Sequence, residues 1–298
     1  QDMSKHTPQQ LHAPVLLDRV VELLAPQPGE TYLDLTAGYA GHASAIADRL
    51  GGFRTVTLVD RDENAIAELT QYKQQGATVV HDDFAHFAES ATEAGQSYDM
   101  VLVDFGVSSP QLDRAERGFS IQRPGPLDMR MDPRQSRTAQ SLVNGMSERD
   151  FARMLVTYGE ERPTQAARIA RAVVRSRPLR TTEDLARAVL STHRGPRAKV
   201  HPATRTFQAI RIALNDELSQ IERLLGCLTN LVRPGGRVAF ISFHSLEDRL
   251  VKRFIAEHTA AGYEAEFASL TKKAIRGATD DVHNPRARSA TLRAAVKK

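Results

Sequence analysis

Cysteine is nearly absent. Cys227 is the only one in 298 residues. One thiol can build neither a disulfide framework nor a zinc cluster, so no metal is expected and the expected setting is reducing and cytoplasmic. No apolar run approaches the roughly 18 residues of a membrane helix. No basic-then-apolar segment reads as a secretory signal, so a membrane partner is not expected. The pattern Gly-x-Gly-x-x-Gly, the usual cradle for a pyrophosphate, is missing as well.

The apolar fraction is 41%, enough for a real core. The net charge of +4 hides an asymmetry. From Asp113 to Arg211 there are 20 Lys/Arg and 10 Asp/Glu, a net of +10, and 19 of the 20 are arginine; the rest of the chain nets −6. A planar guanidinium binds two phosphate oxygens at once, so the concentration points toward nucleic acid. A solvated helical surface would use the same residues.

The first third alternates helix and strand. Helices are expected over residues 16–24, 41–50 and 64–74, and strands over 31–35, 55–60, 78–81 and 98–105. Tyr98–Phe105 is almost continuously apolar, as in parallel strands buried on both faces. The rhythm then breaks. Residues 112–137 read as an extended loop, followed by helices 147–158, 164–175 and 182–192. One long helix is expected from Ala203 to Leu231. A strand 237–243, a helix 246–258 and an antiparallel pair, 264–270 with 289–296, complete the pattern. The expected fold is α/β, a doubly wound Rossmann-like sheet (residues 11–111 and 203–298) with an all-helical, arginine-rich insertion (112–202).

Five strand ends carry chemistry. Asp34-Leu35-Thr36-Ala37-Gly38-Tyr39-Ala40-Gly41-His42 joins the first strand to the first helix, and its glycines permit a tight turn near a ligand. Asp60 ends the second strand, where a carboxylate can accept both ribose hydroxyls of an adenosine cofactor. With no pyrophosphate cradle, S-adenosylmethionine fits better than NAD. After the third strand comes His81-Asp82-Asp83-Phe84. Phe84 can pack on an adenine and either aspartate can accept from its amine; core packing of Phe84 is the alternative. After the fourth strand comes Asp104-Phe105-Gly106-Val107-Ser108-Ser109-Pro110-Gln111. A carboxylate ending an apolar strand must be paired or functional. After the fifth comes His244, either a helix cap or a crevice residue.

The chain resembles the bacterial 16S ribosomal RNA (cytosine-N(4)) methyltransferase family, RsmH or MraW. The resemblance is carried by His12–Leu17, Gly41-His42, Gly106–Asp113, Glu116–Ser120, Gly125–Pro133, Tyr158–Arg162, His201–Ala209, Ile241–Arg249 and Asn284–Ala290. It implies a class I methyltransferase with a cofactor site at Ala40, Gly41, His42, Asp60, Phe84, Asp104 and Gln111. It also implies an RNA-binding insertion and a cytidine target in the decoding centre of the small ribosomal subunit. Asp104 and Ser108, with Asp128 and His244 as helpers, are the candidate catalytic residues for methylating an amine. Asp128 and Arg130 can alternatively hold the base or its phosphate. The family usually has glycine where Ala40 stands; alanine keeps the turn if its φ is negative. Another RNA or a small molecule is the alternative substrate. The oligomeric state stays open, with a homodimer as one option.

Overall fold

The computed structural model describes residues 13–196 and 199–298. His12, at the head of one motif, and residue 11, where the expected sheet domain begins, lie outside the described residues. An eight-stranded sheet organises the chain. Its strands are β1 (Tyr32–Asp34), β2 (Val56–Asp60), β3 (Thr78–His81), β4 (Tyr98–Asp104), β5 (Val232–Ser242), β6 (Phe267–Ser269), β7 (Ile275–Arg276) and β8 (Thr291–Lys297). The order is β3-β2-β1-β4-β5-β8-β6, with β7 on β8. The first five strands run parallel and β8 runs antiparallel to β5. The expected C-terminal pair is β6 with β8.

The helices of the first third are α1 (Leu17–Leu24), α2 (Gly41–Leu50), α3 (Glu63–Lys73) and α4 (Phe84–Glu93). Helix α4 was not expected. It is short and alanine-rich, and Asp83 caps it by accepting from the His86 amide at 2.8 Å. The chain then runs through α5 (Ser109–Asp113), α6 (Ala139–Gly145), α7 (Glu148–Gly159), α8 (Pro163–Arg175), α9 (Thr182–Leu190), α10 (Thr204–Asn215), α11 (Glu217–Leu231) and α12 (Ser245–Thr259). Both faces of the sheet are covered. Leu24, Ile46 and Leu69 from α1 to α3 pack on one face. Ala88, Leu228 and Phe254 from α4, α11 and α12 pack on the other. No helix among the described residues is long and apolar enough to cross a membrane.

A separate core fills the insertion, built around Phe119, Leu142, Phe151, Ile169, Leu185 and Phe207. The long helix expected over 203–231 is in fact two. Asp216 adopts a left-handed conformation (φ 52°), which Asn and Asp tolerate better than other non-glycine residues. Asn215 fixes the break, because its side chain accepts from the Met131 amide and donates to the Met129 carbonyl, both at 2.9 Å. Helix α10 packs into the insertion core and α11 onto the sheet. The two cores therefore divide at Asp216, not at residue 203. Periodicity could not reveal this, since apolar residues keep helical spacing across the break.

Candidate active site

Strand order reverses between β1 and β4. Connections leaving the two strands at such a point go to opposite faces and leave a crevice at their carboxyl ends, the usual ligand site of an open α/β sheet. The turn after β1 and the segment after β4 flank this crevice.

Asp60 closes the turn. Its carboxylate accepts from the Gly38 and Asp62 amides, both at 2.8 Å. Burial raises its pKa to about 6. Each oxygen keeps a lone pair free for a ribose hydroxyl. Ala40 is buried at φ 63°, in the left-handed region. The condition of a negative φ is not met: Ala40 itself adopts the left-handed shape that glycine would favour. Gly41 is required for a different reason from the one expected. A Cβ there would lie 2.6 Å from Pro14 Cγ. Gly41→Ala is therefore expected to cost about 1–3 kcal/mol by overpacking, seen as a lowered midpoint in thermal denaturation. An unchanged midpoint would show that the Pro14 segment yields freely.

His42 is buried, with Nε2 2.8 Å from the Val15 carbonyl. That nitrogen must carry the proton, which leaves Nδ1 facing Asp104 Oδ2 at 4.0 Å. Burial pushes the His42 pKa down. Asp104, at the end of β4, has a buried Oδ1 with no hydrogen-bond partner. Burial, then Asp34 and Glu247, push its pKa well above the usual carboxylate range. Asp34, held by the Tyr32 hydroxyl and the Thr36 amide, is raised by burial to about 7.

The folded protein thus keeps protons on Asp34, Asp60 and Asp104 to higher pH than the unfolded chain. Their contribution to stability is fully present below about pH 4 and is lost as pH rises through 6 and 7. Asp34→Asn should flatten the dependence of the thermal midpoint on pH between 4 and 7. An unaltered profile would contradict the assignment.

Gln111 is buried and bridges the two sides of the crevice. Its Oε1 accepts from the Ser108 amide at 2.9 Å and its Nε2 donates to Asp62 Oδ2 at 2.9 Å. Ser108 caps α5, its hydroxyl accepting from the Gln111 amide at 3.4 Å. Phe84 begins α4 and meets Phe105 edge-on, with ring centroids 5.8 Å apart. Asp82 pairs with His86 at 2.7 Å.

Two expected helpers are otherwise engaged. Asp128 is gripped by Arg130, whose Nε and Nη2 reach its two oxygens at 2.8 and 2.9 Å. Arg130 also donates to the Pro133 and Gln135 carbonyls, so the pair shapes its own loop. His244 caps α12, its Nδ1 accepting from the Glu247 amide at 3.3 Å. Its Nε2 lies 2.7 Å from Glu247 Oε1, at an angle unsuited to a hydrogen bond. These contacts make His244 a cap instead of a free base.

A profile of the MraW methylase family matches residues 9–298. The chain belongs to this family. Ribosomal RNA small subunit methyltransferase H of Acidobacterium capsulatum is 46% identical over 299 residues, covering 96% of this chain and 98% of that protein. The protein of the same name from Methylococcus capsulatus is 45% identical over 307 residues, covering 95% and 99%. A Streptococcus mutans structure in complex with SAH has 9% identity and a TM-score of 0.43, covering 96% of this chain and 99% of that one.

As an MraW family member the chain is a class I methyltransferase, and S-adenosylmethionine is its methyl donor. The residues fit that cofactor. The Asp60 carboxylate has acceptor capacity to spare, and the buried, unpartnered Asp104 Oδ1 needs a donor or a cation. Among the described residues no acidic, histidine and cysteine cluster could hold a metal.

The family motifs contain residues that the sequence reading did not assign. Arg117 donates to Asp62 Oδ2 at 2.6 Å and to the Arg130 carbonyl at 3.0 Å, tying the β2 end to the insertion loop. Half-buried Arg211, just past one motif, reaches Glu217 at 3.0 Å and the motif residue Glu247 at 3.8 Å. Glu160 hydrogen-bonds the Ser245 hydroxyl and lies 3.4 Å from Arg249. Asn284 donates to the Ala13 carbonyl and Arg286 to Asp113. Much of the motif set therefore joins lobes and termini. The available signal was charge inside apolar surroundings, which must be paired.

Proposed function

We propose that this methyltransferase transfers a methyl group from S-adenosylmethionine to the exocyclic N(4) amine of a cytidine in 16S ribosomal RNA, in the decoding centre of the small subunit. The observation that carries the reading is the buried, unpartnered Oδ1 of Asp104 at the switch point, in a chain whose insertion is rich in arginine. The names of the relatives from Acidobacterium capsulatum and Methylococcus capsulatus support ribosomal RNA as the substrate. The reaction belongs in the cytoplasm, with the ribosome.

S-adenosylmethionine, when bound, supplies a methyl made electrophilic by its sulfonium. Ala40, Gly41 and His42 shape the turn beside it. Asp60 accepts the ribose hydroxyls and Phe84 covers the adenine. Gln111 acts through Asp62, holding the β2 end against the Ser108 segment. A neighbouring cation favours the ionised form of Asp104. In that form Oδ1 accepts a hydrogen of the cytosine amine, whose lone pair is otherwise delocalised into the ring. The Ser108 hydroxyl keeps its own proton to orient the base. Asp128 and His244 act indirectly, through the 128–135 loop and the start of α12.

A small-molecule substrate would have no use for a lobe with ten net positive charges. Transfer of labelled methyl groups to isolated small subunits, with naked 16S RNA and total small metabolites in parallel, tests the reading. Label is expected in the RNA of the subunit. Label confined to small molecules would overturn it.

A further inference from the structure

The insertion carries a cleft of about 390 Å³ of its own. Helix α8 lines one side with Arg168; the segment after α9 contributes His193 and Arg194; the approach to α10 contributes His201 and Arg205. Among the described residues the single acid in its wall is Glu161, and that carboxylate already faces Arg205 at 3.5 Å. Arg168 and Arg194 have no ion pair or hydrogen bond among the described residues. Other arginines of the same lobe are paired, Arg153 with Asp150, Arg171 with Glu148 and Arg187 with Glu183. His201 Nδ1 accepts from the Ala203 amide at 3.0 Å, which leaves Nε2 for a ligand. Helix α10 begins beside the cleft without a side-chain cap or an acid in its first turn.

We propose that this cleft holds a backbone phosphate of the RNA substrate, at a site separate from the methyl-transfer crevice. The proposal rests on the reading of the substrate as RNA. Two unpaired guanidiniums suit the paired oxygens of a phosphodiester. The cleft also lies on a path from the crevice. Glu160, next to Glu161, binds Ser245, and Ser245 follows His244 at the crevice end of β5. A strand with its cytidine in the crevice can therefore pass the lobe junction and reach Arg168 and Arg194.

The test compares two double variants of the full chain, each removing two exposed arginines from the insertion. One is Arg168→Gln with Arg194→Gln. The other is Arg153→Gln with Arg187→Gln, from surface pairs outside the cleft. Binding of a 16S RNA fragment is measured over a range of KCl concentrations, with thermal midpoint and S-adenosylmethionine affinity as controls. The cleft variant should bind RNA roughly tenfold or more weakly per arginine. The slope of log affinity against log salt should fall by about two. The other variant should stay near the wild type, and cofactor affinity should not move in either. Equal losses in both variants, or no loss in the first, would overturn the phosphate site. Wild-type protein that methylates subunits while the cleft variant binds RNA normally would sink this site alone. Wild-type protein that neither binds nor methylates RNA would sink the reading beneath it too.

Discussion

Asp104→Ala should lose at least about 100-fold in turnover on small subunits, whereas Cys227→Ala should stay near normal. The contrast separates two chemistries. Methylation at carbon 5 of a pyrimidine normally begins with a cysteine thiolate adding to carbon 6. Cys227 is half-buried on α11 and packs against the sheet core. Burial raises its pKa, and its nearby polar groups include Thr92 and Glu89 of α4. Burial outweighs the Thr92 hydrogen bond and the Arg223 charge, which favour a thiolate, and α11 does not carry it to the crevice. Asp104 sits where the strand order reverses, with one oxygen buried and unpartnered. Asp104→Asn keeps the shape and removes the charge, so it should lose nearly as much if the carboxylate is the acceptor. Single-turnover assays at saturating cofactor separate this loss from weakened cofactor binding. A folded Cys227→Ala protein without activity would refute the mechanism, as would a normally active Asp104→Asn.

Asp60→Ala should weaken S-adenosylmethionine binding by about 10- to 100-fold or more, since hydrogen bonds to a charged group contribute roughly 1.5–3 kcal/mol each. The same carboxylate also holds the Gly38 and Asp62 amides, so the alanine variant loses turn geometry as well as ribose contacts. Asp60→Asn keeps one acceptor oxygen and should fall between wild type and alanine. Its pKa of about 6 adds a pH signature. Cofactor affinity should fall as pH drops through 6 in the wild type, as the acceptor is protonated. Calorimetry on folded variants measures both effects. Unchanged affinity in Asp60→Ala would remove Asp60 from the site.

The strand–helix rhythm, the strand-end carboxylates and the basic insertion were legible because each leaves a local trace. Apolar runs mark buried strands, and an acid ending such a run, as at Asp60 and Asp104, marks a crevice. What was illegible depended on long-range partners. The break at Asp216 interrupts no apolar periodicity and is fixed by Asn215 reaching the Met129–Met131 segment. Asp128 looked catalytic among arginines, yet Arg130, two residues on, holds both its oxygens. Gly41 looked like a ligand-approach glycine, and the space it leaves is filled by Pro14. Ala40 occupies a conformation its side chain disfavours by roughly 1–2 kcal/mol, and only the folded turn reveals that it is held there. The arginines of the insertion divide in the same way. Arg177 belongs to the same basic stretch, yet it donates to the Val143 and Met146 carbonyls, while Arg168 makes no such contact among the described residues.

The methyl group goes to one atom of one base, the N(4) nitrogen of a cytidine, if the proposed reaction holds. Small subunits lacking the modification, incubated with the enzyme and labelled S-adenosylmethionine, can be digested to nucleosides and resolved by mass spectrometry and chromatography. Label is expected in N(4)-methylcytidine from 16S RNA. Label in 5-methylcytidine, or RNA without label from a protein that binds the cofactor, would contradict it.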